Sequence, residues 1–397
     1  MNRLAQVVRA ARARWALSIG AAALSLLALP SMAAGTTAEP PALLDFSATE
    51  RAQIVAHGPW PPQPRTDASN RAMGQAAAQA WGASLFFDTR LSANQQLSCA
   101  SCHQPNRAFQ DGLATAVGRT AGQRNTPGLL DVAQWRWLGW DGAHDSLWSA
   151  SLTPLLSDGE MQQTVPGLAE RVRRTPELAA GYREAFGQSP PADNTTLVVN
   201  LAKALAAYQA TLASPRSAFD AFRDALASGN SARAARYPMA AQRGLRIFLG
   251  EGRCTVCHAG PLFSNGEFGD IGVPFFVPGG VDPGRYRGLQ QLLASPYNRL
   301  GTFNDAGATD AGAVGTRHVI LEPRHFGEFR VPSLRQLAHT APFMHNGSLP
   351  SIEAVVQHYS QLNEDRLHAD GERILRRLNL SDEQAADLAA FLRSLSE

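Results

Sequence analysis

Apolar positions recur at helical spacing in several separate stretches of the chain. Within 194–213, Leu197, Val198, Leu201, Leu205 and Tyr208 repeat on one face of a 3.6-residue period and predict a helix. Near the C-terminus Ala385, Leu388, Ala389, Leu392 and Leu395 form a second stripe, opened by a capping box between Ser381 and Gln384. Ile352, Val355, Val356 and Tyr359 share a third face, in a helix expected over 351–362. Further helices are expected over 68–87, 166–186, 218–227 and 239–248, with a short one at 289–293. No period-two alternation runs far enough to support a sheet. The stretches 104–153 and 261–332 are rich in loop-forming residues, the second dense in Gly, Pro, Asn and Asp. Loops of that length in a compact protein usually cover something.

The first residues read differently. Arg3, Arg9, Arg12 and Arg14 precede an apolar run over 15–29 and the small-residue stretch Ser31-Met32-Ala33-Ala34. This is the layout of a secretory signal peptide, 1–33, cleaved near Ala33. Residues 34–66, rich in Pro, Ala and polar side chains, read as a loose lead-in. No later segment is long and apolar enough to span a bilayer, so the mature protein is expected without a membrane span, most simply in a bacterial periplasm. The four arginines of the signal segment exceed the whole formal charge of +2. No large basic field remains for a nucleic acid, which argues against DNA or RNA binding.

Four cysteines in an exported chain first suggest two disulfides. Their spacing argues otherwise, because they fall in Cys99-Ala100-Ser101-Cys102-His103 and Cys254-Thr255-Val256-Cys257-His258. Two thiols at that spacing add across the two vinyl groups of a haem, and the adjacent histidine reaches the iron. Zinc sites and dithiol redox motifs also use C-x-x-C, but neither calls for a histidine directly after both pairs. Two copies that consume every cysteine point to two c-type haems. The expected fold is therefore mostly α, as two cytochrome c-like domains, 67–229 and 230–397, with long loops around the haems.

With these motifs in place the chain resembles the bacterial dihaem cytochrome c peroxidases and their relative MauG. The resemblance rests on Leu85-Phe86-Phe87-Asp88-Thr89-Arg90-Leu91-Ser92, Arg124-Asn125-Thr126-Pro127, Gly139-Trp140-Asp141-Gly142 and Glu160-Met161. It continues through Phe329-Arg330-Val331-Pro332-Ser333-Leu334-Arg335 and Thr340-Ala341-Pro342-Phe343-Met344-His345-Asn346-Gly347. It implies an oxidoreductase that uses hydrogen peroxide at the N-terminal haem, whose proximal ligand is His103. The C-terminal haem, held by His258, would pass electrons from a small cytochrome c or a cupredoxin. The alternative within the family is a MauG-like enzyme that oxidises residues of a partner protein; a plain electron carrier fits least.

Many relatives carry a histidine in the loop after the first motif, which blocks the first iron. Here 104–126 contains none, and the matching place holds Arg119, which stays protonated and cannot ligate iron. By the same resemblance Glu160 is the distal acid, Pro154 packs over the open haem face and Trp140 lies between the haems. Tyr359 is the expected sixth ligand of the second iron, with Met344 as the alternative. Asn125, Thr340 and Pro342 match a calcium site between the haems, an oxygen-only set suited to a hard cation. The remaining histidines, His144 and His368 among them, read as surface or structural residues. Pyridine haemochrome analysis of the mature protein is expected to find two covalently attached c-type haems per chain; one haem or none would defeat this reading.

Overall fold

The periodic stretch after Asp193 forms the hub of the first core. Asp193 caps it by accepting from the Thr196 amide at 2.7 Å, and Leu197, Val198, Leu201 and Leu205 are all fully buried. In this computed structural model the described residues are 42–273, 276–277, 280–365, 370–371 and 373–396. The signal segment 1–33 and His368 lie outside them. In chain order the helices are α1 Ala48–Ala56, α2 Ala76–Phe86, α3 Cys99–Cys102, α4 Leu147–Leu156, α5 Val165–Arg174, α6 Pro176–Phe186 and α7 Asn194–Gln209. They continue as α8 Ala218–Ala227, α9 Ser231–Ala234, α10 Met239–Leu249, α11 Arg285–Ala294, α12 Ala311–Arg317, α13 Ile352–Ser360 and α14 Asp382–Arg393. The architecture is mostly helical. Two antiparallel pairs of two residues each, β1 Phe268–Gly269 with β4 Phe329–Arg330 and β2 Phe276–Val277 with β3 Gly280–Val281, are the strands among the described residues, besides isolated bridges. None of the helices described is long and apolar enough to cross a membrane.

Several boundaries differ from the sequence pattern. The helix expected over 166–186 is two, α5 and α6, because Thr175 is extended (φ −95°, ψ 109°) ahead of Pro176, which has no amide to continue the ladder. The helix expected from 68 starts only at Ala76. Residues 147–156, which the loop-rich pattern concealed, form α4, with Pro154 inside its last turn. The expected loose lead-in contains α1, capped by Ser47 and Glu50, with Ile54 buried in the second core.

That core also redraws the expected boundary at 229. Phe219, Phe222 and Ala225 of α8 lie with Phe46, α10 and α14, not with α7. The first core instead gathers α2, α4, α5, α6 and α7 around Trp81, Trp148 and Tyr182. Lys203, the only lysine, is buried there against Asp305 at 2.7 Å.

The two cores repeat one device. The helix ahead of each C-x-x-C-H motif crosses a later helix, α2 on α7 and α10 on α14. Each crossing has a glycine at its closest point. A Cβ on Gly82 would stand 2.0 Å from the Ala204 carbonyl oxygen, and one on Gly244 would stand 1.9 Å from that of Asp387. Backbone that close leaves no room for a methyl group. Gly82→Ala and Gly244→Ala are each expected to destabilise the fold by about 1–3 kcal/mol or more through overpacking. Thermal melts followed by circular dichroism check this; unchanged midpoints would mean that the crossings yield easily.

Candidate functional site

Each C-x-x-C-H motif folds as one tight turn. The His103 amide donates to the Cys99 carbonyl at 2.9 Å, and the His258 amide donates to that of Cys254 at 2.8 Å. The turn places two sulfurs and one imidazole on the wall of the same cavity. Cys99, Cys102 and His103 line a first cavity of about 290 Å³, and Cys254, Cys257 and His258 line a second of about 420 Å³. None of the four cysteines forms a disulfide. Burial pushes the thiol pKa of Cys99 and of Cys254 up to about 12, and that of Cys102 up to about 11. They are therefore neither thiolate nucleophiles nor ready thiolate ligands. Among the described residues no group of three or more His, Cys, Asp or Glu is arranged to hold a metal ion directly.

Both imidazoles are oriented by a backbone carbonyl. His103 Nδ1 donates to Phe109 O at 3.0 Å, and His258 Nδ1 donates to Phe263 O at 2.8 Å. Both phenylalanines adopt left-handed backbone, φ 60° and 51°, which non-glycine residues seldom do. These two strained turns were not legible in the sequence. Their effect is to fix the tautomer and leave each Nε2 unprotonated as a ligand atom. Burial keeps both rings neutral, pushing the His258 pKa down to about 4 and lowering that of His103 as well. Two thiols, one oriented imidazole and a largely apolar cavity fit a haem, twice over.

Around the first cavity the structure brings Glu160 and Pro154 together. The Glu160 amide donates to Ser157 O, and Met161 donates to Pro154 O at 3.1 Å, so both residues belong to one turn at the end of α4. The loop that lacks a histidine closes on that turn. The Arg119 and Thr120 amides both donate to Gly159 O, at 2.8 and 3.1 Å, and Gly118 is the loop residue on the cavity wall. Glu160 is open to the cavity it lines, yet surrounding protein withdraws its carboxyl from bulk water. That desolvation raises its pKa above the ordinary glutamate value. His144, read from sequence as a structural residue, also lines this cavity, with Nε2 3.2 Å from Thr153 Oγ1.

Asn125, Trp140, Thr340, Pro342, Met344 and Tyr359 all line the second cavity. Tyr359 projects there from α13 beside Cys254 and Cys257; burial, then those thiols, pushes its phenol pKa up. Trp140 reaches only this cavity, whereas Trp135 lines both, and so does Arg330. The Trp140 indole donates to Asn125 O at 2.8 Å, and the Asn125 amide donates to His345 O at 2.7 Å. Asn125 Oδ1 accepts from Gln110 Nε2 at 2.7 Å, while the buried Gln110 Oε1 has no partner. Arg124 ties these loops together, with Nη1 on Asp141 at 2.6 Å and Nε and Nη2 on Asp282 at 2.6 and 2.7 Å. It also lies over Phe329, which stacks on His345 with ring centres 3.5 Å apart.

Known proteins share this arrangement. A family model described as di-haem cytochrome c peroxidase matches residues 76–227. The methylamine utilization protein MauG of Methylorubrum extorquens is 33% identical over 320 residues, covering 80% of this chain and 77% of that protein. Cytochrome-c peroxidase IdrP1 of a Pseudomonas species, strain SCT, is 30% identical over 353 residues and covers 86% of each chain. Among solved structures, a MauG-like protein associated with microbial copper homeostasis superimposes with a TM-score of 0.63 at 26% identity, over 86% of this chain and 96% of that one. Relatives at 30% identity or more thus match most of its length, and the chain belongs to the di-haem cytochrome c peroxidase and MauG family of haem-dependent oxidoreductases.

Proposed function

We propose that the chain is a periplasmic dihaem c-type peroxidase, reducing hydrogen peroxide at the first cavity with electrons delivered through the second. One haem would be joined by thioethers to Cys99 and Cys102 and the other to Cys254 and Cys257, each in a cytochrome c-like unit. The observation that carries this reading is the wall of the first cavity. Pro154, Gly118 and Glu160 line it, and the loop 104–126 brings it no histidine. The two other residues of ligand type there are otherwise engaged, His144 Nε2 lying 3.2 Å from Thr153 Oγ1 and Met161 packed in the first core. A haem held through His103 would supply the iron chemistry that activates peroxide there.

The chain's own groups do the rest. Glu160 as carboxylate takes the proton from one peroxide oxygen and returns it to the other, which leaves as water. Completing the reduction to two waters takes two electrons and two protons in all. Trp140, and Trp135 on the wall common to both cavities, offer aromatic steps between the two centres. His258 and Tyr359 would hold the second iron. A phenol whose pKa is raised by burial would lose its proton to solvent only where a strong positive charge such as a ferric ion binds the phenolate. A calcium ion at Asn125, Thr340 and Pro342 is supported by the unpartnered oxygen of Gln110, which bonds Asn125 and lines the same cavity. The electron donor is a small cytochrome c or a cupredoxin. A second reading, MauG-like oxidation of a partner protein, is favoured by Tyr359 on the second cavity and by the likeness to MauG.

The ferric protein is expected to change its haem spectrum on mixing with stoichiometric peroxide, without prior reduction. A response only after half-reduction would show that another group blocks the first iron. Glu160→Gln is expected to slow that reaction by roughly 10²–10⁴-fold. Because its raised pKa keeps Glu160 protonated to higher pH, the base form is lost early as pH falls. The wild-type rate is therefore expected to drop on the acid side above the ordinary carboxylate range, and the Gln variant to lack that limb. For the second haem, Tyr359→Phe is expected to alter the low-spin ferric signal and raise the potential, since a hard anionic donor favours oxidised iron. If Met344→Leu abolishes that signal and Tyr359→Phe leaves it intact, the ligand is Met344.

A further inference from the structure

Arg330 is a buried cation without an anion. It belongs to β4, on the wall that the two cavities share, and is only 8% exposed. Its guanidinium carbon lies over Trp135, 4.3 Å from the ring centre, and Nε donates to the Gly139 carbonyl at 3.3 Å. Nη1 is buried with no hydrogen-bond partner at all. The contrast with its neighbours is sharp. Arg124 has two carboxylates, Arg335 pairs with Asp220, and Arg285 donates to the carbonyls of Asp141 and Gly142. Burial alone lowers the Arg330 pKa to about 10, with no acid opposing it, so the group is still charged at neutral pH. Leaving a buried charge unpaired costs several kcal/mol by any account.

We propose that Arg330 is a cofactor-binding residue whose guanidinium pairs with a haem propionate carboxylate at the wall between the cavities. The proposal rests on the reading of both cavities as haem sites. A haem is apolar except for two carboxylates on one edge, so a largely apolar cavity needs a cation where that edge lies. A guanidinium held by an indole ring and by a carbonyl on its Nε stands as a fixed cation on the wall of both cavities. Its charge also acts on the iron. A nearby fixed positive charge favours the reduced over the oxidised haem and so raises the potential.

The test uses the mature protein carrying both haems, as wild type, Arg330→Gln and Arg330→Lys, with haem content measured first. Spectroelectrochemical titration is then run at about pH 8, where a carboxylate released from the arginine stays ionised. In Arg330→Gln at least one haem is expected to show its reduction equilibrium at fixed potential falling roughly tenfold, which is 59 mV for a one-electron couple. Arg330→Lys is expected to recover part of that shift, which a purely structural role would not produce. Two haems with both potentials unchanged in Arg330→Gln would overturn the proposal. If that variant does not fold, a crystal structure of the wild-type holoenzyme decides: a guanidinium nitrogen of Arg330 on a propionate oxygen supports the pairing, and a guanidinium bonded only to protein, water or a free anion overturns it. Wild-type protein with fewer than two haems would bring down the haem reading itself, a failure distinct from that of Arg330 alone.

Discussion

The bidentate grip of Arg124 on Asp282, with its third contact to Asp141, is the constraint on which the region between the cavities depends. The three residues come from loops with little regular structure, far apart in sequence. Burial disfavours the arginine's charge, yet the two carboxylates outweigh it and hold its pKa above the ordinary value. A buried ion network of this kind contributes little net stability, because desolvation offsets the attraction. What it fixes is position. Arg124 sits one residue before Asn125, whose carbonyl takes the Trp140 indole and whose amide meets His345. Asp141 follows Trp140 directly, and Asp282 precedes α11. The loops that carry the site are thus registered by charge, where helices would do it by packing.

Around that seam the protein keeps most ionisable groups neutral. His103, His258 and His345 are pushed down by burial, and the thiols and the Tyr359 phenol are pushed up. Low polarity makes each remaining charge count for more. The exceptions are informative. Glu160 is raised by desolvation alone, the usual way of bringing a carboxyl toward the pH at which proton transfer is efficient. Arg330 keeps its charge with no acid beside it. Both line the first cavity, so its chemistry would be set by two groups that the surrounding fold leaves uncompensated.

The scaffold behind this chemistry is made twice by the same means. A helix delivers the chain to a C-x-x-C-H turn, a glycine lets a later helix cross it at backbone contact, and a left-handed phenylalanine turns its carbonyl onto the histidine. The surroundings then diverge. After the first motif the chain forms a loop clamped on the Glu160 turn; after the second it leads to a cavity faced by α13, with Tyr359 and Met344 at hand. Similar turns are thus set in different walls.

What the sequence alone determined was local. Adjacent cysteines and histidine act through covalent geometry within one turn, so the two motifs and their cavities could be read directly. The stripe of α7 and the Ser381 cap of α14 were equally legible, because a long helix writes its buried face at a fixed period. Short or interrupted elements were not: α1 buries one residue, α4 contains Pro154, and Pro176 divides what periodicity ran together. The tertiary structure decided which core each helix joins, so that α8 and α1 fall with the second. It also decided which distant backbone meets the site. The carbonyls of Phe109 and Phe263 and the strand position of Arg330 have no sequence signature, because each depends on a non-local packing that brings its partner within reach only in the folded chain.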